Sequence, residues 1–185
     1  MDGVVATAAH VVEHEGYSPI TVFCNGREVE ATVIISQPER DVALLAADCT
    51  GPALQFHLGK LEVDHKLLIS GYNFETGTTG GSRVTTAIQF HIVSSPIPSA
   101  ILTADKIPDD SDMGAKALVQ KMEEADSPLL LAVTGTIERG NSGSPVFTKD
   151  GAIVGMAVIF DGTHNRTFMV PAESIFLAMI AADVF

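Results

Sequence analysis

Gly140-Asn141-Ser142-Gly143-Ser144-Pro145 is the stretch on which the reading of this chain turns. Average residue usage would yield the fixed pattern G-N-S-G-x-P in a chain of this length on the order of once in 10⁴. Its glycines describe a tight loop between two strands. Such a backbone can approach a substrate carbonyl and take up φ/ψ values that other residues resist. The Ser142 side chain then projects outward. The N–H groups of Gly140 and Ser142 can converge on a developing oxyanion, a contribution worth roughly 10²–10³ in rate per donor. The same residues also build ordinary turns, so the motif needs partners elsewhere in the chain.

A serine hydroxyl at its free pKa is a poor nucleophile and needs a base. Six histidines are available: His10, His14, His57, His65, His91 and His164. His10 lies in Val5-Ala6-Thr7-Ala8-Ala9-His10-Val11-Val12, at the end of a strand among small residues. That setting can hold an imidazole in fixed orientation at a cleft, although a histidine on an apolar stretch is commonly a satisfied core residue. His14 stands in Glu13-His14-Glu15. Three successive side chains do not converge on one metal ion, so this reads as a solvated loop. The other four have no suggestive setting. Arg40-Asp41-Val42-Ala43-Leu44-Leu45 places a carboxylate directly before an apolar strand. Acids are scarce there unless paired, which implies a partner; the competing reading is a strand-entry turn with its side chain in water. The order His, Asp, Ser differs from the subtilisin and α/β-hydrolase orders. A nucleophile elbow, G-x-S-x-G, fails as well, because Ser144 stands where its second glycine would.

Around these residues the 185-residue chain is 46% hydrophobic and 18% charged, enough for a substantial core in one domain or two small packed ones. A formal net charge of -12 with scattered Lys and Arg excludes a nucleic-acid partner and adsorption to anionic membranes. The apolar stretches are too short for a membrane-inserted span, and residues 1–12 show no basic region of a signal peptide, which leaves the compartment open. Cys24 and Cys49 fit one disulfide or two separate buried thiols. Apolar runs recur at Val4–Ala8, Ile20–Cys24, Ala31–Ile35, Val42–Ala46, Leu67–Gly71, Val84–Val93, Leu129–Gly135, Ala152–Phe160 and Thr167–Val170. Turn residues divide them, with Asn25-Gly26 and Asp150-Gly151 as two-residue hairpin signals. This predicts an all-β sandwich or barrel. Helices are expected over 112–125, where Leu118 and Met122 share a face, and from Ala172 to about Ala182, opened by Pro171.

The stretches Thr7-Ala8-Ala9-His10-Val11-Val12, Asp41-Val42-Ala43-Leu44-Leu45 and Arg139-Gly140-Asn141-Ser142-Gly143-Ser144-Pro145-Val146 resemble the trypsin-like serine peptidases, and among them the HtrA (Deg) type. Weaker echoes are Ile69-Ser70-Gly71-Tyr72-Asn73-Phe74, His91-Ile92-Val93-Ser94, Gly151-Ala152-Ile153-Val154-Gly155 and Phe168-Met169-Val170-Pro171, so the likeness runs in order over nearly the whole chain.

The resemblance implies two antiparallel β-barrels of the chymotrypsin type with the active site in the groove between them. Residues 1–64 would form the first, carrying His10 and Asp41, and residues 65–185 the second, carrying Ser142. It implies Ser142 as nucleophile, His10 as proton shuttle and Asp41 as the group that orients the imidazole. No metal or other cofactor is called for. Two departures stand out. Only nine residues precede His10, so against the family pattern the first barrel is expected to be incomplete here. Its open edges would invite a second copy or another partner, unless the chain is a fragment or its start was misassigned. No PDZ-sized segment follows, and residues 104–127 form an acidic, partly helical insertion. Ser144 replaces a commoner glycine. Thr136, six positions before Ser142, stands where trypsins carry an aspartate. With Ala157 and Val158 as further walls, the resemblance implies a pocket for small or medium apolar residues of a polypeptide substrate. The rival is a catalytically idle trypsin-like domain that binds peptides or proteins.

Overall fold

The computed structural model describes residues 3–13, 19–51, 54–59, 61, 66–74, 83–92, 113–124, 131–134, 137, 140–161 and 166–184. Its strands form two antiparallel units. The first is an open four-stranded sheet in the order β1-β4-β3-β2, built from β1 (Val4–Thr7), β2 (Thr21–Cys24), β3 (Arg27–Gln37) and β4 (Val42–Ala47). The second is a closed barrel in the order β10-β7-β6-β5-β8-β9. It comprises β5 (Lys66–Phe74), β6 (Arg83–Ile92), β7 (Leu131–Thr134), β8 (Pro145–Thr148), β9 (Ile153–Asp161) and β10 (Arg166–Pro171). This is the all-β, two-barrel architecture that the sequence led us to expect, with the first barrel open.

Local chemistry explains most of the elements. Val42, Ala43, Leu44 and Leu45 are all buried, as an uninterrupted apolar run requires of a strand covered on both faces. The β2–β3 hairpin turns on Asn25 (φ 50°) and Gly26 (φ 81°) between the paired Cys24 and Arg27, the two-residue turn expected there. Asp150-Gly151 behaves differently. Thr148 N–H donates to Ala152 O at 2.8 Å and its Oγ1 takes the Ala152 N–H at 3.1 Å, which closes a three-residue loop over 149–151. Only Gly151 of that loop has positive φ, as in a hairpin whose third loop residue is left-handed. Strand β8 (Pro145–Thr148) was not among the expected runs; it opens on a proline, which reads as a strand breaker. Pro145 is tolerable as a first strand residue, where no ladder donor is lost.

Three helices complete the described residues: α1 (Ala9–Val12), α2 (Met113–Glu124) and α3 (Ala172–Ala181). Helices α2 and α3 lie where the 3.6-residue pattern put them. The turn at α1 corrects the placement of His10 at a strand end: β1 stops at Thr7, and the chain coils with Val11 N–H on Ala8 O and Glu13 N–H on Ala9 O. Cys24 and Cys49 form a disulfide, tying the end of β2 to the segment after β4. The sequence had left two free thiols equally open; only the pairing of β2 with β3 and β3 with β4 brings the cysteines together.

Two apolar clusters hold the units together. One fills the closed barrel with Leu67, Ile69, Val146, Val154, Ala157 and Met169. The other gathers Val42 and Leu44 of the first sheet, Met156, Val158, Phe168 and Val170 of the barrel, Met122 of α2 and Ile175 of α3. It therefore lies where first sheet, barrel and helices meet. Half of the acidic insertion, the turn over 77–81 and His14, His65 and His164 lie outside the described residues.

Candidate active site

Antiparallel pairing of β1 with β4 sets Thr7 opposite Ala43. The turn after β1 thus faces the turn before β4, so His10 and Asp41 meet although 31 positions separate them. Pro38 to Asp41 form a single coil, with Arg40 N–H on Gln37 O and Asp41 N–H on Pro38 O. Asp41 ends it at φ 53°, a left-handed conformation that Asp and Asn reach more easily than other side-chain-bearing residues. Its carboxylate is completely buried. Its oxygens lie 2.8 and 3.0 Å from His10 Nδ1, and Oδ1 also accepts the His10 backbone N–H at 3.0 Å. A carboxylate out of water needs such donors. Because it only accepts, the hydrogen sits on Nδ1 and leaves His10 Nε2 as the basic nitrogen of the neutral ring. The His10 side chain is 36% exposed, so part of the ring is open to solvent.

The Ser142 loop comes from the barrel. Gly140 (φ 97°) and Gly143 (φ 87°) both occupy the left-handed region, which explains why two glycines bracket Asn141-Ser142. Ser144 N–H closes the loop on Asn141 O at 2.9 Å. Gly143 N–H to Ala157 O and Ala157 N–H to Ser144 O, both 2.9 Å, fasten it to β9. A Cβ at Gly143 would come within 2.6 Å of Thr7 Oγ1 and 3.4 Å of Ala8 N, so the loop packs directly on the segment leading into His10. The Ser142 hydroxyl donates to Val158 O at a long 3.4 Å. Among the described residues, no hydrogen bond joins that hydroxyl to the His10 ring.

Val158 is a feature that sequence reading placed without seeing its setting. In the β9–β10 ladder Phe168 pairs with Ile159 and Met169 with Ala157, leaving Val158 as an extra, bulged residue. Consecutive strand residues ordinarily face opposite ways. Here Val158 and Ile159 both enter the cluster shared with the first sheet, while Ala157 points into the barrel. Bulges re-aim groups in this manner beside active sites. Ala157 is wholly buried and Val158 nearly so. Thr136 lies outside the described residues. Helix α2, within the insertion over 104–127, buries Leu118, Val119 and Met122 in the cluster that holds Val158. Its Lys121 reaches Glu13 at 3.9 Å, and Glu13 takes the Ser36 hydroxyl at 2.8 Å. Nothing local in the sequence announced the bulge, the Thr7–Gly143 packing or this docking, since each joins distant segments.

Residues 1–156 match the family model of the trypsin-like peptidase domain. The chain belongs to that family. Similar folds occur in a mutant of Rv3671c from M. tuberculosis in its inactive form (TM-score 0.68, 24% identity, 97% of this chain and 78% of that one). They occur also in a serine endoprotease from Yersinia pestis (0.67, 20%, 98% and 54%) and in the HtrA-type protease AlgW bound to a decapeptide (0.68, 19%, 98% and 48%). This trypsin-like peptidase domain thus spans about half the length of the latter two. No curated protein matches it.

Proposed function

We propose that this trypsin-like domain is a serine endopeptidase in which Ser142, His10 and Asp41 act as nucleophile, general base and orienting acid. The observation that carries the reading is the buried Asp41 carboxylate, 2.8 Å from His10 Nδ1, beside a nucleophile loop packed on Thr7 and Ala8. Rotation of the Ser142 hydroxyl off Val158 O presents its hydrogen to His10 Nε2. Ser142 Oγ then attacks the scissile carbonyl as Nε2 takes the proton, and the carbonyl oxygen gathers charge at the N–H groups of Gly140 and Ser142. Nε2 returns the proton to the leaving amine; water hydrolyses the acyl-enzyme by the same route. Asp41 holds the tautomer and stabilises the imidazolium. General-base help of this kind supplies roughly 10²–10⁴ in rate.

The substrate lies extended along β9, its backbone bonding near the bulged Val158. Thr136, Ala157 and Val158 provide no carboxylate, so the residue before the cleaved bond is small or medium and apolar. Residues 1–64 and 65–185 act as the two lobes of the groove. The open first sheet, with Phe23 and Val33 exposed, supports association through that sheet with a second copy.

One observation favours the idle peptide-binding reading: the hydroxyl rests on Val158 O. A fluorophosphonate probe separates the two. Labelling of the wild-type protein and none of Ser142→Ala is the expected result; equal labelling of both, or of neither, refutes the peptidase.

A further inference from the structure

Behind the nucleophile loop, strand β5 passes with Gly71 facing Ser144. A Cβ at Gly71 would overlap Ser144 Oγ, come within 2.7 Å of Ser144 Cβ and lie 3.5 Å from Asn141 Nδ2. Ser144 is 6% exposed and Asn141 1%, so neither can swing into solvent to make room. The backbone of Ser144 is fixed at both ends, donating to Asn141 O and accepting from Ala157 N–H. A push on its side chain therefore passes to Asn141 and Ser142 and cannot be absorbed locally. The neighbouring Gly143 packs closely against Thr7 and Ala8. The loop thus makes close contact both with β5 at position 71 and with the segment leading into His10.

We propose that Gly71 and Ser144 form a size-matched pair that seats the Ser142 loop, making Gly71 a positioning residue for catalysis. This rests on the peptidase reading for its kinetic consequence, though not for its structural one. The hydroxymethyl of Ser144 fills the space that any larger residue at 71 would need. A methyl there displaces the loop, and with it the Gly140 and Ser142 N–H groups. Misplacement of a reacting constellation by about 1 Å costs on the order of 10²-fold in rate.

The experiment compares wild type, Gly71→Ala, Ser144→Gly and the double variant, with Ser142→Ala as blank. Peptide hydrolysis and amide hydrogen exchange at Gly143, Ser144 and Ala157 are both measured. We expect Gly71→Ala to lower kcat by about 10²-fold with KM within about threefold of wild type, and to expose those three amides to faster exchange. In the Ser144→Gly background the same substitution should change kcat by less than about threefold and leave exchange unaltered, because the vacated notch takes the methyl. Ser144→Thr, which enlarges the pair from the other side, should reproduce the kcat loss and the faster exchange even if Gly71→Ala does not fold. Equal damage from Gly71→Ala with and without Ser144 overturns the proposal, as does wild-type behaviour of both Gly71→Ala and Ser144→Thr. A wild-type protein without Ser142-dependent turnover would overturn the peptidase reading alone, and exchange would still decide the size match.

Discussion

Asp41 shows how much one residue is asked to do. It must be an acid to hold His10, buried to keep the bond out of water, and left-handed to end the coil after Pro38. Asp41→Asn preserves shape and tolerates the same φ, but it removes the charge that selects the tautomer. We expect kcat to drop by about 10⁴-fold, the scale seen when a triad loses its orienting carboxylate. Chemical denaturation should show little change for that variant. Asp41→Ala should lose as much activity and, in addition, unfold more easily than Asp41→Asn by about 1–2 kcal/mol, because alanine resists the left-handed region. Equal denaturation midpoints for the two variants would mean that the conformation at 41 carries no strain.

Among elements, the β2–β3 hairpin and helix α2 offer separate tests. The Cys24–Cys49 bridge closes a loop of 25 positions. Chain-entropy arguments assign such a loop about 3.5 kcal/mol, so the Cys24→Ser/Cys49→Ser protein should unfold at correspondingly lower denaturant. Asp41 lies within that loop, but its bonds to His10 do not involve the bridge, so any surviving folded fraction should retain its kcat. Helix α2 contributes the fully buried Met122 to the cluster shared by both units. Met122→Ala should destabilise by about 2–5 kcal/mol, measured by equilibrium denaturation. A cost under about 1 kcal/mol would show that α2 is not anchored there.

At the scale of the molecule, the proposed activity requires the meeting of an open sheet with a closed barrel, since each supplies part of the candidate site. Specificity belongs to this scale as well, because the walls proposed for the substrate pocket come from β9 and the segment before the nucleophile loop. Profiling with a peptide library should show cleavage after Ala, Val or similar residues; strong preference for Arg or Lys would refute the assignment of Thr136, Ala157 and Val158. The open first sheet leads to an expectation about assembly. Sedimentation should show an average mass that rises with concentration, and Phe23→Lys should suppress the rise while leaving kcat unchanged.

Some of this was legible in the residues alone. The Gly140–Pro145 motif, the acid ahead of an apolar strand and the hairpin signals are local patterns. Their physics acts within a few residues, so sequence suffices to determine the all-β class and to nominate the three candidate side chains, while the two-barrel architecture came from the resemblance. Tertiary structure decided everything that depends on strand register and packing across the two units: the helical turn that carries His10, the Cys24–Cys49 pairing, the bulge at Val158 and the fit of Ser144 against Gly71. Register and close packing join positions dozens of residues apart, and no short stretch of sequence encodes a distance between two of them.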